Sequence, residues 1–268
     1  MSVRADLQRF AVRAKKSLGQ NFLVDETALA AIADGAPVAG ERVVEVGPGF
    51  GALTGFLAAR KPASLDLVEL DPDMADIVEG RSAAREFAAP LTVHRADVLD
   101  WAYPGQAPYR VFGNIPYYVT SPILRHFLYD VPVAPESVVV LVQKEVADKI
   151  LCRDGKHSVL SLLVHWRAQK VRHVANVPSG AFVPAPKVDS AAVAVDVGPR
   201  PDTQLTTRFL KLIHVGFAEK RKQLAGTYGK AFGQGRAHWE AEFAKLGLRP
   251  DIRAEDVPLE AWRALAAG

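Results

Sequence analysis

The sequence predicts an α/β protein: a mostly parallel sheet with helices on both faces over residues 1–199, then a small all-helical domain over residues 200–268. Three observations predict it. Short apolar runs alternate with segments of helical period, as a parallel sheet built from β-α repeats requires. A glycine-rich turn follows the first long run. After Gly198-Pro199-Arg200-Pro201, which reads as a linker, Phe209, Leu212, Ile213 and Phe217 recur at helical spacing.

The elements follow in order. Asp25 caps a helix over Glu26–Asp34. Arg42–Val46 is a buried strand, ending in Gly47-Pro48-Gly49-Phe50-Gly51 and a helix over Ala52–Arg60. Leu65–Leu70 is the second strand, closed by Glu69 and Asp71, and Pro72 suits the first turn of the next helix. Leu91–His94 and Arg110–Phe112 are strands three and four. Ser137–Val142, apolar after its first residue, is the fifth. Gln143–Leu151 and Ser158–Trp166 read as helices, and Val171–Val177 and Ala191–Val197 as closing strands. Trp239–Leu246 and Leu259–Leu265 are helices of the second domain.

Composition excludes several classes. At 268 residues, 49% hydrophobic and 24% charged, the chain is an ordinary globular protein. No apolar run is long enough to span a bilayer, and the basic N-terminus lacks the apolar core of a secretion signal. Cys152 is the single cysteine, so no internal disulfide forms, and no ligand cluster suggests a metal. A cytoplasmic monomer is the expectation. The net charge of +3 is uneven. Arg4, Arg9, Arg13, Lys15 and Lys16 stand against Asp6 alone, and seven cations over residues 205–236 stand against Glu219 alone. Two basic segments around a nearly neutral middle point to a polyanionic partner.

The glycine turn identifies the cofactor class. Its spacing is Gly-x-Gly-x-Gly, not the Gly-x-Gly-x-x-Gly of dinucleotide enzymes, and Pro48 has no amide hydrogen to offer a pyrophosphate. Glu45 before Gly47 and Gly49 would repel phosphate but orient an ammonium group. These features favour S-adenosyl-L-methionine, which is cationic and phosphate-free. Glu69 would accept hydrogen bonds from its ribose, and Asp97 from its adenine amine. The bland reading of either acid is a surface carboxylate or a helix cap. Asp71 and Asp73 read as caps of the following helix.

Asn114-Ile115-Pro116-Tyr117 follows the fourth strand. An Asn carbonyl can accept from an exocyclic amine, Pro116 stiffens the turn, and Tyr117 offers a ring on which a base can stack. The competing reading is an Asn-Pro turn with a core tyrosine.

With these residues in place the chain resembles the rRNA adenine dimethyltransferases, which include the KsgA-type small-subunit enzymes and the Erm-type resistance enzymes. The matching motifs are Ser17–Asp25, Glu45–Gly51, Val68–Asp71, Asn114–Tyr117, Gln143–Ala147 and Phe182–Ser190. The resemblance implies a Rossmann-like class I methyltransferase sheet. It implies that Asn21 and Leu23 contact the cofactor beside Gly47, Glu69, Asp97 and Asn114. It also implies that Phe182 packs on a flipped adenine opposite Tyr117, although a core aromatic bracing a proline-rich turn is the alternative. The Asn114 side chain and the Ile115 backbone carbonyl would then accept the two amine hydrogens. Lys220, Arg221 and Lys222 would clamp rRNA phosphates of the small ribosomal subunit.

Two departures stand out. Ile115 replaces the usual bacterial Leu, and Gly155-Lys156-His157-Ser158 lacks a Tyr-Gly pair common there. Asp189 before Ser190, where Erm-type enzymes carry Asn, favours the small-subunit branch, as does the sizeable C-terminal domain. Alternatives are an Erm-type 23S rRNA methyltransferase and an assembly factor whose binding role outweighs catalysis. A nicotinamide-dependent dehydrogenase is disfavoured by Pro48 and the glycine spacing.

Overall fold

The computed structural model describes residues 2–268. The chain separates into two compact units. One comprises residues up to Ala147 with Gln169–Val197, the other Asp148–Ala168 with Gly198–Gly268.

The first unit begins with α1 (Val3–Arg9), β1 (Phe22–Leu23) and α2 (Glu26–Ala33), whose N-terminus is capped by Asp25. There follow β2 (Arg42–Val46), α3 (Ala52–Ala59), β3 (Ser64–Glu69), α4 (Pro72–Ala83), β4 (Leu91–Arg95) and β5 (Arg110–Asn114). α5 (Thr120–Arg125) runs on into a wide π turn at His126–Asp130 before β6 (Ser137–Gln143). The chain leaves through α6 (Lys144–Ile150) and α7 (Val159–Arg167) and returns as β7 (Ala168–Val177), β8 (Phe182–Val183) and β9 (Ser190–Val197).

Seven strands form one sheet in the order β4-β3-β2-β5-β6-β9-β7. β2 pairs in parallel with both β3 and β5, β3 with β4, and β5 with β6; β9 runs antiparallel to β6. Covering on both faces explains why six of the seven residues of β6 are buried and why its sequence does not alternate. Chain order reverses on either side of β2, the switch point at which such sheets bind ligands outside the strand carboxyl ends. Glu69 and Asn114 end strands on that edge, and Glu45 is the last residue but one of β2. The strands match the sequence reading to within three residues.

β1 and β8 form a separate two-stranded ribbon, with Phe22 opposite Val183 and Leu23 opposite Phe182. Its partners lie about 160 residues apart and carry no local signature. α1 and α5 are too short to be legible in the sequence.

The second unit holds α7, α8 (Thr203–Ala218), α9 (Leu224–Phe232), α10 (Gly235–Lys245) and α11 (Leu259–Ala267). The boundary expected at 199/200 is therefore incomplete, since Asp148–Ala168 belongs to the second unit. The reason is packing. Trp166 stacks flat on Phe209 with centroids 3.8 Å apart, and the Arg263 guanidinium lies 5.1 Å from the Trp166 ring centre. A helix flanked by strands in sequence gives no sign that its apolar face is buried elsewhere.

The crossing of β2 and β5 leaves no room for a side chain at Gly113. A Cβ there would stand 2.9 Å from Ile115 Cγ2 and 3.0 Å from the Val46 carbonyl oxygen. Because the second obstacle is backbone, Gly113→Ala is expected to destabilise the protein by about 1–3 kcal/mol. Thermal unfolding of the variant would measure this, and an unchanged midpoint would contradict the crowding.

A carboxylate-lined pocket at the strand ends

The loop after β2 is shaped by glycine. Gly47, Gly49 and Gly51 have φ of 64°, 57° and 89°, values that other residues rarely adopt. Gly47 N–H donates to Val68 O at 2.9 Å, tying the loop to β3. Gly49 N–H donates to Glu69 Oε2 at 2.9 Å.

Three carboxylates face the resulting pocket. Glu45 is buried and accepts from Thr54 Oγ1 at 2.7 Å. Burial pushes its carboxyl up to about 8; the Thr54 hydrogen bond opposes the rise and the nearby Glu69 adds to it. Glu69 is also buried and raised, chiefly by desolvation, against hydrogen bonds from the Asp71 and Gly49 amides. Asp97 closes an Asx turn by accepting from Leu99 N–H at 2.9 Å, so its remaining oxygen is available.

Asn114 ends β5 on the same edge. Its Nδ2 donates to the Asn21 carbonyl at 3.1 Å. This fixes which way the carboxamide points and leaves Oδ1 without a partner among the described residues, on the pocket lining. Asn21 is itself held by a bond from its Nδ2 to Gly19 O at 3.2 Å. Pro116 holds φ at −58°, and its carbonyl accepts from Val119 N–H at 3.2 Å. The Ile115 side chain is buried beneath the turn. The Tyr117 hydroxyl is 2.6 Å from Ser190 Oγ, so the Ser of Pro-Lys-Val-Asp-Ser braces the Tyr of Asn-Ile-Pro-Tyr.

The pocket, of about 250 Å³, brings together Asn21, Leu23, Glu45, Gly47, Gly49, Glu69, Asp97, Asn114, Ile115, Pro116 and Tyr117. Phe182 is not among them. It is 3% exposed and sits in the hydrophobic core, opposite Leu23 in the ribbon. In this position Phe182 matches the alternative reading, a core aromatic, rather than a residue of the pocket wall. Several lining residues escape the sequence reading. Leu70 and Leu99, 54% and 37% exposed, offer apolar faces at the mouth beside Glu69 and Asp97. Tyr118, 63% exposed, lies against Gly19. An apolar residue directly after a strand-end acid is the signal that would have found Leu70. The lining contains no Lys, Arg or His.

In the second unit Lys220, Arg221 and Lys222 are exposed in the turn between α8 and α9, tightened by Lys222 N–H donating to Glu219 O at 2.8 Å. Arg221 and Lys222 line a broad concave surface with Lys156, Lys230, Arg236, Arg249 and Arg253; Lys220 does not. Lys156 is paired with Glu255 and Arg236 with Glu240. Arg221, Lys222, Lys230 and Arg253 have no ion pair among the described residues. The N-terminal cations differ: Arg9 pairs with Glu86, and Lys15 with Asp71 and Asp73. Of the two basic segments, the first is thus partly committed within the protein. Among the described residues no helix is long and apolar enough to cross a membrane, and no group of three or more His, Cys, Asp or Glu could hold a metal ion.

This strand order, with an antiparallel strand beside the fifth parallel one and a glycine turn after the first, defines a class I methyltransferase fold. Residues 11–266 match the family model described as ribosomal RNA adenine dimethylase. The chain is 38% identical over 272 residues to "Ribosomal RNA small subunit methyltransferase A" of Deinococcus radiodurans, covering 99% of this chain and 89% of that protein. It is 39% identical over 277 residues to the protein of the same name from an Anaeromyxobacter species, covering 98% and 96%. Among solved structures it resembles the 23S rRNA methyltransferase ErmE, with a TM-score of 0.74 and 27% identity over 92% of this chain and 98% of that one. A Plasmodium falciparum dimethyladenosine transferase shares the fold, with a TM-score of 0.75 and 22% identity over 91% and 95%. The chain belongs to the ribosomal RNA adenine dimethylase family, a family of S-adenosylmethionine-dependent methyltransferases.

Glu45 gives the cofactor-free protein a pH signature. Its carboxyl, near 8 when folded, has an ordinary value of 4.5. Between these limits the folded state holds a proton that the unfolded state releases, so stability falls as pH rises through the window. Glu45→Gln removes this loss. The variant is expected to melt several degrees above the parent at pH 8, at roughly 2–4 °C per kcal/mol, with little difference at pH 5. Calorimetry without cofactor at both pH values checks it; an equal gain at both would contradict the assignment.

Proposed function

We propose that this chain transfers methyl groups from S-adenosylmethionine to the 6-amino group of adenines in small-subunit rRNA, two adjacent adenines each dimethylated, during ribosome assembly in the cytoplasm. The carrying observation is the Asn114 carboxamide, held by Asn21 so that its oxygen opens onto a pocket lined by three carboxylates and no cation. Such a lining favours a cationic, phosphate-free cofactor and repels nicotinamide dinucleotides. The family and the names of the relatives support the target.

The residues divide the labour. Glu45 lies deepest and would face the ammonium group, whose charge would return the carboxyl to its ionised form. Gly47 and Gly49 allow close backbone approach, with Asn21 and Leu23 closing the pocket from the N-terminal side. Glu69 would accept from the ribose hydroxyls and Asp97 from the adenine amine, with Leu70 and Leu99 on the ring faces. When bound, the cofactor supplies an electrophilic methyl whose transfer leaves a neutral thioether.

On the acceptor side, Asn114 Oδ1 and the Ile115 carbonyl would accept the two amine hydrogens. This draws the nitrogen towards tetrahedral geometry and aims its lone pair, which is otherwise delocalised into the ring. Tyr117, anchored by Ser190, would carry the ring, which must leave its stack to enter. Alignment supplies most of the acceleration, and the surplus proton passes to solvent. Phe182 supports the ribbon from behind. Arg221 and Lys222, with Lys220 beside them, would bind phosphates.

The decisive experiment supplies labelled S-adenosylmethionine to the protein with small and large ribosomal subunits from a strain lacking both modifications. Two adjacent dimethyladenosines in the small subunit are expected. Label only in the large subunit would move the protein to the Erm-type branch. Intact subunit binding without label would leave an assembly factor. Asn114→Ala is expected to lower kcat by about 10²–10³, as loss of a positioned hydrogen-bonding group does elsewhere, with cofactor affinity changed only a few-fold by calorimetry. Replacing Lys220, Arg221 and Lys222 by Ala should weaken RNA binding and flatten its log–log salt slope, by roughly 0.7–0.9 for each phosphate no longer neutralised.

A further inference from the structure

Asp71 reads from sequence as the cap of α4, and it does accept from Asp73 N–H at 3.0 Å. Capping alone does not account for its surroundings. Its side chain is fully buried, whereas a cap needs only one oxygen at a helix end. Oδ1 also accepts from Lys15 Nζ at 2.6 Å, and Oδ2 accepts from Gln20 Nε2 at 2.7 Å. Gln20 cannot turn freely, because its Oε1 already accepts from Lys15 N–H at 2.8 Å. The carboxylate therefore fastens both ends of a short arm that continues into Asn21. That arm lines the pocket from Leu18 to Leu23, while Asp71 does not touch it. Burial opposes ionisation of Asp71, but the bonds from Lys15, Gln20 and the Asp73 amide outweigh it and hold the carboxyl below its ordinary range.

The other end of Asp71 meets the cofactor side. Its amide donates to Glu69 Oε1 at 2.8 Å, and the second oxygen of Glu69 holds Gly49. One continuous set of bonds thus runs from the glycine loop through Glu69, Asp71, Gln20 and the arm to the Asn21 carbonyl, which orients Asn114.

We infer that Asp71 is a positioning residue for methyl transfer: by fastening Lys15 and Gln20 it sets the place of the Asn21 carbonyl, and through it the direction of the Asn114 carboxamide. The inference rests on the reading of Asn114 as the group that accepts the target amine. Cofactor and amine sites are then held in register by one buried carboxylate that contacts neither ligand.

The test uses Asp71→Asn and Lys15→Met in the full chain. Asn caps a helix as well as Asp does, so α4 is retained. Its Nδ2, however, meets the Gln20 Nε2 donor, and the charge facing Lys15 is gone. Each variant is expected to lower single-turnover methyl transfer about tenfold, since small misplacements of aligned groups are costly, with the KM for RNA little changed and the unfolding midpoint lowered by loss of the buried ion pair. Trypsin should cut after Lys16 faster in both. The sharp readout is the Asn114→Ala background, where adding Asp71→Asn should cost nothing further, because the group it positions is absent. Parent rates in both single variants would overturn the inference, as would an undiminished Asp71→Asn penalty beside Asn114→Ala. Should Asp71→Asn fail to fold, Lys15→Met, a partly exposed position, carries the same test. A parent protein that methylates no RNA would overturn this inference and the proposed function together. An active parent with unaffected variants would overturn the inference alone.

Discussion

Burying acid groups at the carboxyl edge of a parallel sheet is the constraint from which the rest of this structure follows. An isolated carboxylate loses several kcal/mol or more of hydration on burial, and it either finds donors or takes up a proton. Glu45, Glu69 and Asp71 meet this cost in three ways. Glu45 has one hydroxyl donor and is pushed towards protonation. Glu69 takes two backbone amides, and in doing so fixes the glycine loop and the start of the next turn. Asp71 takes a lysine, a glutamine and an amide. Only Asp71 is fully compensated, and it is the one of the three outside the pocket. The two that line it are left raised, so a positively charged ligand relieves a cost built into the fold itself.

The same logic separates what is legible in the sequence from what is not. Glu45, Glu69, Asp97 and Asn114 are readable because a parallel sheet places successive strand ends side by side, so order along the chain becomes adjacency in space. Each needs only a strand recognised by composition and the next polar residue. Asn21 has no such guide. Its role depends on a carbonyl 93 residues from the carboxamide it holds, and only family resemblance singles it out. Gln20 and Asp71 are tied across 51 residues, and read locally Asp71 looks like any cap before a proline. The burial of Phe182 is hidden for a related reason: the ribbon that holds it pairs segments about 160 residues apart and leaves no periodicity to read.

Charge shows a further gap between composition and structure. Both basic segments look alike as counts of Lys and Arg. Arg9 and Lys15 are consumed by Glu86, Asp71 and Asp73, partners that lie far away in sequence. Arg221, Lys222, Lys230 and Arg253 keep their charges on a concave face of the second unit. Only uncommitted cations release counterions on meeting a polyanion, so Arg9 and Lys15 have less to offer such a partner than those four cations of the second unit.

These constraints converge on why an amide stands at position 114. A carboxylate there would accept amine hydrogens at least as well. It has no N–H, however, and would set two oxygens against the Asn21 carbonyl, losing the bond that orients it. It would also add a fourth negative charge beside Glu45, Glu69 and Asp97, where burial already drives Glu45 and Glu69 towards protonation; a protonated acid would then compete as a donor for the amine lone pair. A neutral carboxamide avoids both outcomes. One end is spent on the arm, and the other remains an acceptor that cannot titrate. The backbone carbonyl of Ile115 meets the same requirement, being fixed by Pro116 on one side and by the side chain packed over Gly113 on the other. Both acceptors proposed for the amine are therefore uncharged, and both are held from behind by residues that contact no ligand.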